Sequence, residues 1–263
     1  MPSSAYADTP SDTEDRTAEA APPQRPSVAQ RLQMRLRREF RTRRRMLGPV
    51  FRPNLWRVEP VSREFGFDRG TPIDRYFIER FLAGESDLIR GRVLEIEHDI
   101  YTRKFGSSRV ECCDILYRDP GLSQATIVAD LVDAPQIPSD TFDCIILIHT
   151  LQYIYDTAAA IRTCRRILKP GGSVLAATLF IGQYSPGDRE LWGEYWRFSR
   201  MALERLFGDV FGTANMRVGA HGNALAAAGF VQGIAAEEMS HAELNHYDPN
   251  YDVIVTAVAT RRD

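Results

Sequence analysis

The chain has 263 residues, a hydrophobic fraction of 44%, a charged fraction of 26% and a formal net charge of −2. These are ordinary values for a globular protein with a sizeable core. They exclude a global field that favours nucleic acid or membrane, and no apolar run approaches the length of a membrane span.

Charge is unevenly distributed. Residues 1–26 are acidic and rich in Ser, Thr, Ala and Pro, which predicts a disordered tail. Residues 25–57 carry eleven arginines and one acid, Glu39. Within them Val28, Leu32, Leu36 and Phe40 recur every four residues. The expectation over 27–57 is therefore an Arg-rich amphipathic helix, ending near Met46, and a linker. Such a helix docks on its own domain or a partner subunit, or meets an anionic surface. Residues 58–263 form the folded domain. The polar start carries no signal-peptide pattern. The four cysteines, Cys112, Cys113, Cys144 and Cys164, have no C-x-x-C spacing. Both features predict reduced thiols and a cytoplasmic location, without a metal site.

Thr71-Pro72 reads as a helix start, with Thr as cap and Pro in the first turn. Ile73, Phe77 and Phe81 give the apolar face, and Gly84 ends the helix. Strand one is expected at Val93–Ile96, a helix around Ile100–Phe105, strand two at Val110–Asp114 and a short strand at Ala125–Ala129. Phe142–Ile148 is a nearly continuous apolar strand. TAAAIRTCRRIL is helical, KPGG interrupts the chain, and SVLAATLF is another buried strand. LWGEYWRFSRMALERLF is aromatic, then helical. Met216–Ala220 reads as a strand, Leu225–Met239 as a helix, and Tyr251–Ala259 as a closing strand antiparallel to its neighbour. Apolar strands separated by helices predict an α/β, doubly wound, Rossmann-like sheet, mostly parallel, with helices on both faces.

The stretch ATIVADLVDAPQIPSDTFDCIILIHTLQYIYDTAAAIRTCRRILKPGGSVLAATLF carries an acid after a short strand, a Pro-Ser-Asp-x-Phe-Asp approach, the central strand, a helix and Leu-Lys-Pro-Gly-Gly. In that order it resembles the second half of the class I S-adenosylmethionine-dependent methyltransferase core. EFGFDRGTPIDRYFIERFL, YTRKFG, LWGEYWRFS and DPNYDVIVTAV resemble, more narrowly, bacterial methyltransferase domains associated with glycosyltransferases. That resemblance implies S-adenosyl-L-methionine as cofactor and O-methylation of a saccharide or glycosylated natural product. It also implies a partner glycosyltransferase. A homodimer fits the pattern, and nucleic acid does not. The alternative is a degenerate methyltransferase fold that acts as a binding or assembly subunit or catalyses a different reaction.

The resemblance also assigns residues. An acid at the end of strand two, here Asp114, accepts hydrogen bonds from ribose hydroxyls. Asp130 and Leu131 border the adenine. Arg69, Thr71 and Arg75 lie over the methionine end, whose carboxylate needs donors. Glu95 opens the first motif, and Tyr101-Thr102 fits the narrower group. Glu97 departs from it, because that position is normally Gly. Two like charges about 4 Å apart repel by roughly 4 kcal/mol at an intermediate dielectric, so Glu97 bears on cofactor affinity. His149, after the central strand, is the candidate base for a hydroxyl acceptor. It also counts among the cofactor-binding residues. His221 and Asn223 form a second candidate pair. Trp192, Tyr195, Trp196 and Arg197 suit an acceptor with flat faces.

Overall fold

The computed structural model describes residues 57–263. The acidic tail and nearly all of the Arg-rich segment lie outside the described residues. Seven strands form one sheet in the order β3-β2-β1-β4-β5-β7-β6. They are β1 (Gly91–Ile96), β2 (Val110–Tyr117), β3 (Ile127–Val128), β4 (Phe142–Ile148), β5 (Leu168–Leu179), β6 (Met216–His221) and β7 (Ile254–Thr260). The pairs β1–β2, β2–β3, β1–β4 and β4–β5 are parallel. Strand β7 runs antiparallel to both β5 and β6. This is the doubly wound sheet expected from the apolar strand pattern. No helix among the described residues is long and apolar enough to cross a membrane.

Both faces are covered. One core layer gathers Leu94, Ile145, Leu147, Val174 and Ala176 against helices α2 (Thr157–Ile167) and α4 (Arg200–Phe211). The other gathers Val93, Cys144, Ile146, Leu175 and Val258 against α1 (Ile73–Gly84) and α5 (Ala224–Gln232). Two short helices, α3 (Pro186–Trp192) and α6 (His241–Asn245), lie in the connections after β5 and α5. Alternation of side chains along β4 sends neighbours to opposite layers, so this strand is apolar almost throughout, whereas β1 also buries the carboxylate of Glu95.

Caps fix several boundaries. Asp156 accepts from the Ala159 amide at the start of α2, and Ser199 does the same for Ala202 at α4. Several boundaries differ from expectation. KPGG does not interrupt the chain but lies inside β5. The closing strand begins at Ile254 and not Tyr251. The turn expected as a helix over Ile100–Phe105 is a π-helical turn over Thr102–Gly106. Thr71 does not cap α1: Pro72 holds the cap position without a side-chain bond. The helix expected over Leu225–Met239 breaks at Gly233, whose φ of 70° is left-handed. A side chain there would run into the Ser62 carbonyl, so glycine both ends α5 and admits the close approach. Strand β2 continues three residues beyond Asp114 because Leu116 and Tyr117 pair with Ile127 and Val128.

Candidate functional site

The carboxyl ends of the parallel strands form one rim. The strand order reverses between β1 and β4, the position where doubly wound sheets open a crevice for ligand. The loop after β1 is shaped by Glu95, which is 2% exposed. Its two carboxylate oxygens accept from the Tyr101 amide (3.1 Å), the Thr102 amide (2.8 Å) and the Thr102 hydroxyl (2.7 Å), and one meets His98 Nδ1 at 3.2 Å. A carboxylate with this many donors is engaged in holding the loop.

Glu97 has a φ of 71°, the left-handed conformation that suits glycine. Its amide donates to Leu116 O (2.9 Å), and its carbonyl accepts from Gln124 Nε2 (2.8 Å). The backbone therefore follows a glycine path although a glutamate occupies it.

Asp114 lies inside β2, opposite Leu94, and not at the rim. Its carboxylate takes Arg92 Nε at 2.7 Å and the Thr126 hydroxyl at 2.9 Å. The Asp114 hydrogen bond holds the Arg92 guanidinium above its usual range, against a smaller burial effect. The acid that follows the true end of β2 is Asp119, within reach of Arg118 at 3.8 Å. Asp130 sits just after β3, exposed, with Oδ1 accepting from the Val132 amide at 2.9 Å. Leu131 is buried in the core.

The segment before α1 is tied to the chain after α5. Arg69 Nε donates to Glu238 at 2.9 Å, and a second guanidinium nitrogen pairs with the same carboxylate. The Glu238 hydrogen bond raises the Arg69 pKa beyond what burial removes. The Thr71 amide and hydroxyl donate to Glu237 at 2.8 and 2.7 Å. These bonds hold the entry to α1 in place. Arg75, one helical turn further on, lies over the Phe67 and Tyr101 rings, 5.8 and 5.3 Å from their centroids. Tyr101 is 1% exposed, and its hydroxyl has no hydrogen-bond partner among the described residues.

His149 follows β4 directly. Its φ is 51°, and its amide donates to Ala177 O at 2.9 Å. Its Nε2 lies 2.9 Å from Asp74 Oδ2, in the first turn of α1. Its Nδ1 is buried without a partner among the described residues. Burial pushes the Asp74 carboxyl upward, but the His149 hydrogen bond and the charges of His149 and Arg75 outweigh it and the net shift is downward. Asp74, Arg75, Tyr101 and His149 thus make a polar cluster at the β1/β4 end of the rim. Asp74 was invisible to motif reasoning, because an acid in a first helical turn reads as a partner of the helix dipole.

The second histidine lies elsewhere. His221 ends β6, three strands from β4, on the order of 14 Å away at the usual strand spacing. Its ring stacks on Phe77 at 5.8 Å between centroids. Burial and the charge of Arg80 hold its pKa below 6.5, with Asp252 opposing. Asn223 spends its side chain on scaffolding. Its oxygen accepts from the Ala226 amide at 2.9 Å, and its nitrogen donates to the Glu243 and His246 carbonyls, each at 2.7 Å.

The aromatic residues after β5 separate into two groups. Trp192 packs edge-on against Tyr117 at the end of β2, with the Arg118 guanidinium 4.4 Å over its ring. Tyr195 and Trp196 gather around Tyr155, at 5.4 and 5.7 Å between centroids. Trp196 Nε1 donates to the Ile154 and Tyr155 carbonyls at 3.1 and 3.2 Å. Arg197 pairs with Glu194 at 2.6 Å and lies over Tyr184. Tyr155, Tyr184 and Tyr195 are each at least half exposed, so this second group is an open platform beside the rim. A cleft of about 580 Å³ lined by Arg162, Arg165, Arg166 and Arg261 lies at the other end of the sheet.

Residues 94–176 match the family described as a methyltransferase domain. No curated protein matches the chain. Among solved structures, the YcgJ protein of Bacillus subtilis is 13% identical, covers 72% of this chain and 99% of its own, with a TM-score of 0.45. The cyclase SpnF is 17% identical, with coverages of 72% and 80% and a TM-score of 0.46. A domain of the citrinin polyketide synthase, termed CMeT, is 14% identical, with coverages of 73% and 54% and a TM-score of 0.48.

Proposed function

From a chain that matches a methyltransferase domain over residues 94–176, we propose an S-adenosylmethionine-dependent methyltransferase that acts on a hydroxyl of a saccharide or glycosylated small molecule. The carrying observation is the polar cluster at the β1/β4 rim. Its buried atoms without a partner among the described residues include Tyr101 Oη and His149 Nδ1. Buried polar atoms without partners cost about 1–3 kcal/mol each, and a ligand with its own donors and acceptors relieves that cost. The residues present therefore fit the cofactor.

Arg75 and the Tyr101 hydroxyl would hold the methionine carboxylate. Asp119 takes the ribose-binding place that sequence order had given to Asp114, and Asp130 beside Leu131 borders the adenine. Arg69, Thr71 and Glu95 support these groups through the bonds above. The bound cofactor supplies a methyl group on a sulfonium, so alignment does much of the work. His149 Nδ1 would accept the acceptor hydroxyl's proton as the C–O bond forms and the methyl–sulfur bond breaks, its electron pair staying on sulfur. The Tyr155, Tyr195 and Trp196 platform offers stacking faces for a sugar ring.

The test is incubation of the full chain with methyl-labelled S-adenosylmethionine and a panel of glycosides. Label on a sugar hydroxyl is expected. Label on nitrogen or carbon, or none on any glycoside, would reject the acceptor class.

A further inference from the structure

The geometry points to Asp74 as the positioning residue that fixes the tautomer of His149, with the proton on Nε2 and the lone pair on Nδ1. This rests on the reading of His149 as the base and adds what makes it one. A neutral imidazole has one donor and one acceptor nitrogen, and the partner of one decides the role of the other. Asp74 Oδ2 lies 2.9 Å from Nε2. An ionised carboxylate only accepts, so the hydrogen between them belongs to Nε2. Nδ1 then carries the lone pair, and it is the nitrogen left without a partner.

Asp74 is suited to stay ionised although it is 7% exposed. It stands in the first turn of α1, where the helix dipole favours negative charge, beside Arg75. The backbone adds a second indication. His149 is a non-glycine residue at positive φ, a conformation that persists where the surroundings over-determine it and that clusters at functional sites. Here it is held by the Ala177 carbonyl on one side and Asp74 on the other. A tie between α1 and β4 for stability alone needs neither a particular tautomer nor a free Nδ1.

In the proposed step the acceptor O–H bond would break with its proton passing to Nδ1. The oxygen pair would form the C–O bond as the methyl–sulfur bond breaks and its electron pair stays on sulfur, leaving a neutral thioether. The resulting imidazolium donates from both nitrogens, and Asp74 balances its charge. This follows the general logic of an acid–base pair in which the carboxylate orients the ring and is not itself protonated.

The experiment reads tautomer and turnover separately. In the full chain labelled with ¹⁵N-histidine, long-range ¹H–¹⁵N spectra, assigned by loss of signal in His149→Gln, are expected to show Nε2–H and bare Nδ1. In Asp74→Asn the side-chain amide can donate to Nε2, and the Nδ1–H form should appear. On the best acceptor, Asp74→Asn should lower kcat by about 10²–10⁴-fold, the range of a base's contribution, with KM changed little. In the His149→Gln background the same substitution should add little further loss, because paired groups act as one unit. An Nδ1–H tautomer in the wild type, or a tautomer unaltered by Asp74→Asn, would overturn the assignment. So would full additivity of the two substitutions. The wild-type spectrum needs no turnover, so it decides the tautomer even if no glycoside is methylated.

Discussion

Single residues carry the sharpest departures from pattern. Glu97 was legible as a misfit, because a glutamate stands where the resembled group has glycine. Its backbone was not legible: the residue keeps a left-handed φ of 71°, at a cost of about 1–2 kcal/mol for an L-residue. The backbone takes a conformation that suits glycine, and the side chain it carries is a glutamate. His221 was legible as a titratable group near a strand end, but not as a half-buried ring stacked on Phe77, since that contact joins α1 to β6 across 144 positions of sequence. Its folded pKa is held below 6.5 by burial, with Arg80 acting the same way. As pH falls through 6.5, the unfolded chain binds this proton before the folded one does. Stability must therefore fall on acidification, starting near 6.5 and ending below the lowered folded value. Replacing His221 with Phe, which keeps a stacked ring, should flatten the fall in melting temperature between about pH 7 and 5 relative to wild type. Equal slopes for the two proteins would show that His221 is not the group responsible.

At the scale of elements, the chain announced most of its strands and few of its bonds. Strands β1 and β4 were readable because apolar runs bounded by turns can be buried on both faces. Helix α2 was readable from its stripe, and the break in α5 was missed because Gly233 was weighed without Ser62, which lies 171 positions earlier and blocks any side chain there. The end of β2 was misplaced for a related reason. Asp114 was the first acid in the strand, but pairing with β3 carries the strand on to Tyr117, and Arg92 on β1 supplies Asp114 with a partner. On the proposed reading the two acids have different roles. Asp114→Asn should cost about 1 kcal/mol of stability, since Arg92 is 45% exposed and the pair is partly screened. It should leave affinity for S-adenosylhomocysteine within about threefold, the scatter expected of a substitution outside the site. Asp119→Asn should leave stability within about 0.5 kcal/mol and weaken binding by about tenfold or more, the loss of charged hydrogen bonds. Chemical denaturation and calorimetry on both variants check this, and the reverse pattern would return the ribose role to Asp114.

Across the whole molecule, the sheet order, the switch between β1 and β4 and the match over residues 94–176 agree on one architecture. That architecture was legible because strand length, apolar continuity and helix spacing are local properties. The site was half legible. Rim positions such as His149 and Asp130 follow from strand ends. Asp74, Asp119 and the ties from Arg69 and Thr71 to residues 237–238 depend on elements that meet only after folding. The central claim is that this rim holds the methyl donor. Calorimetric titration of the full chain with S-adenosylhomocysteine tests it most directly. Saturable one-site binding is expected with a micromolar dissociation constant, about −8 kcal/mol, and at about a hundredfold excess over that constant the fold should gain about 2.7 kcal/mol of stability. A folded chain that gives neither binding heat nor a thermal shift at millimolar ligand would contradict the account.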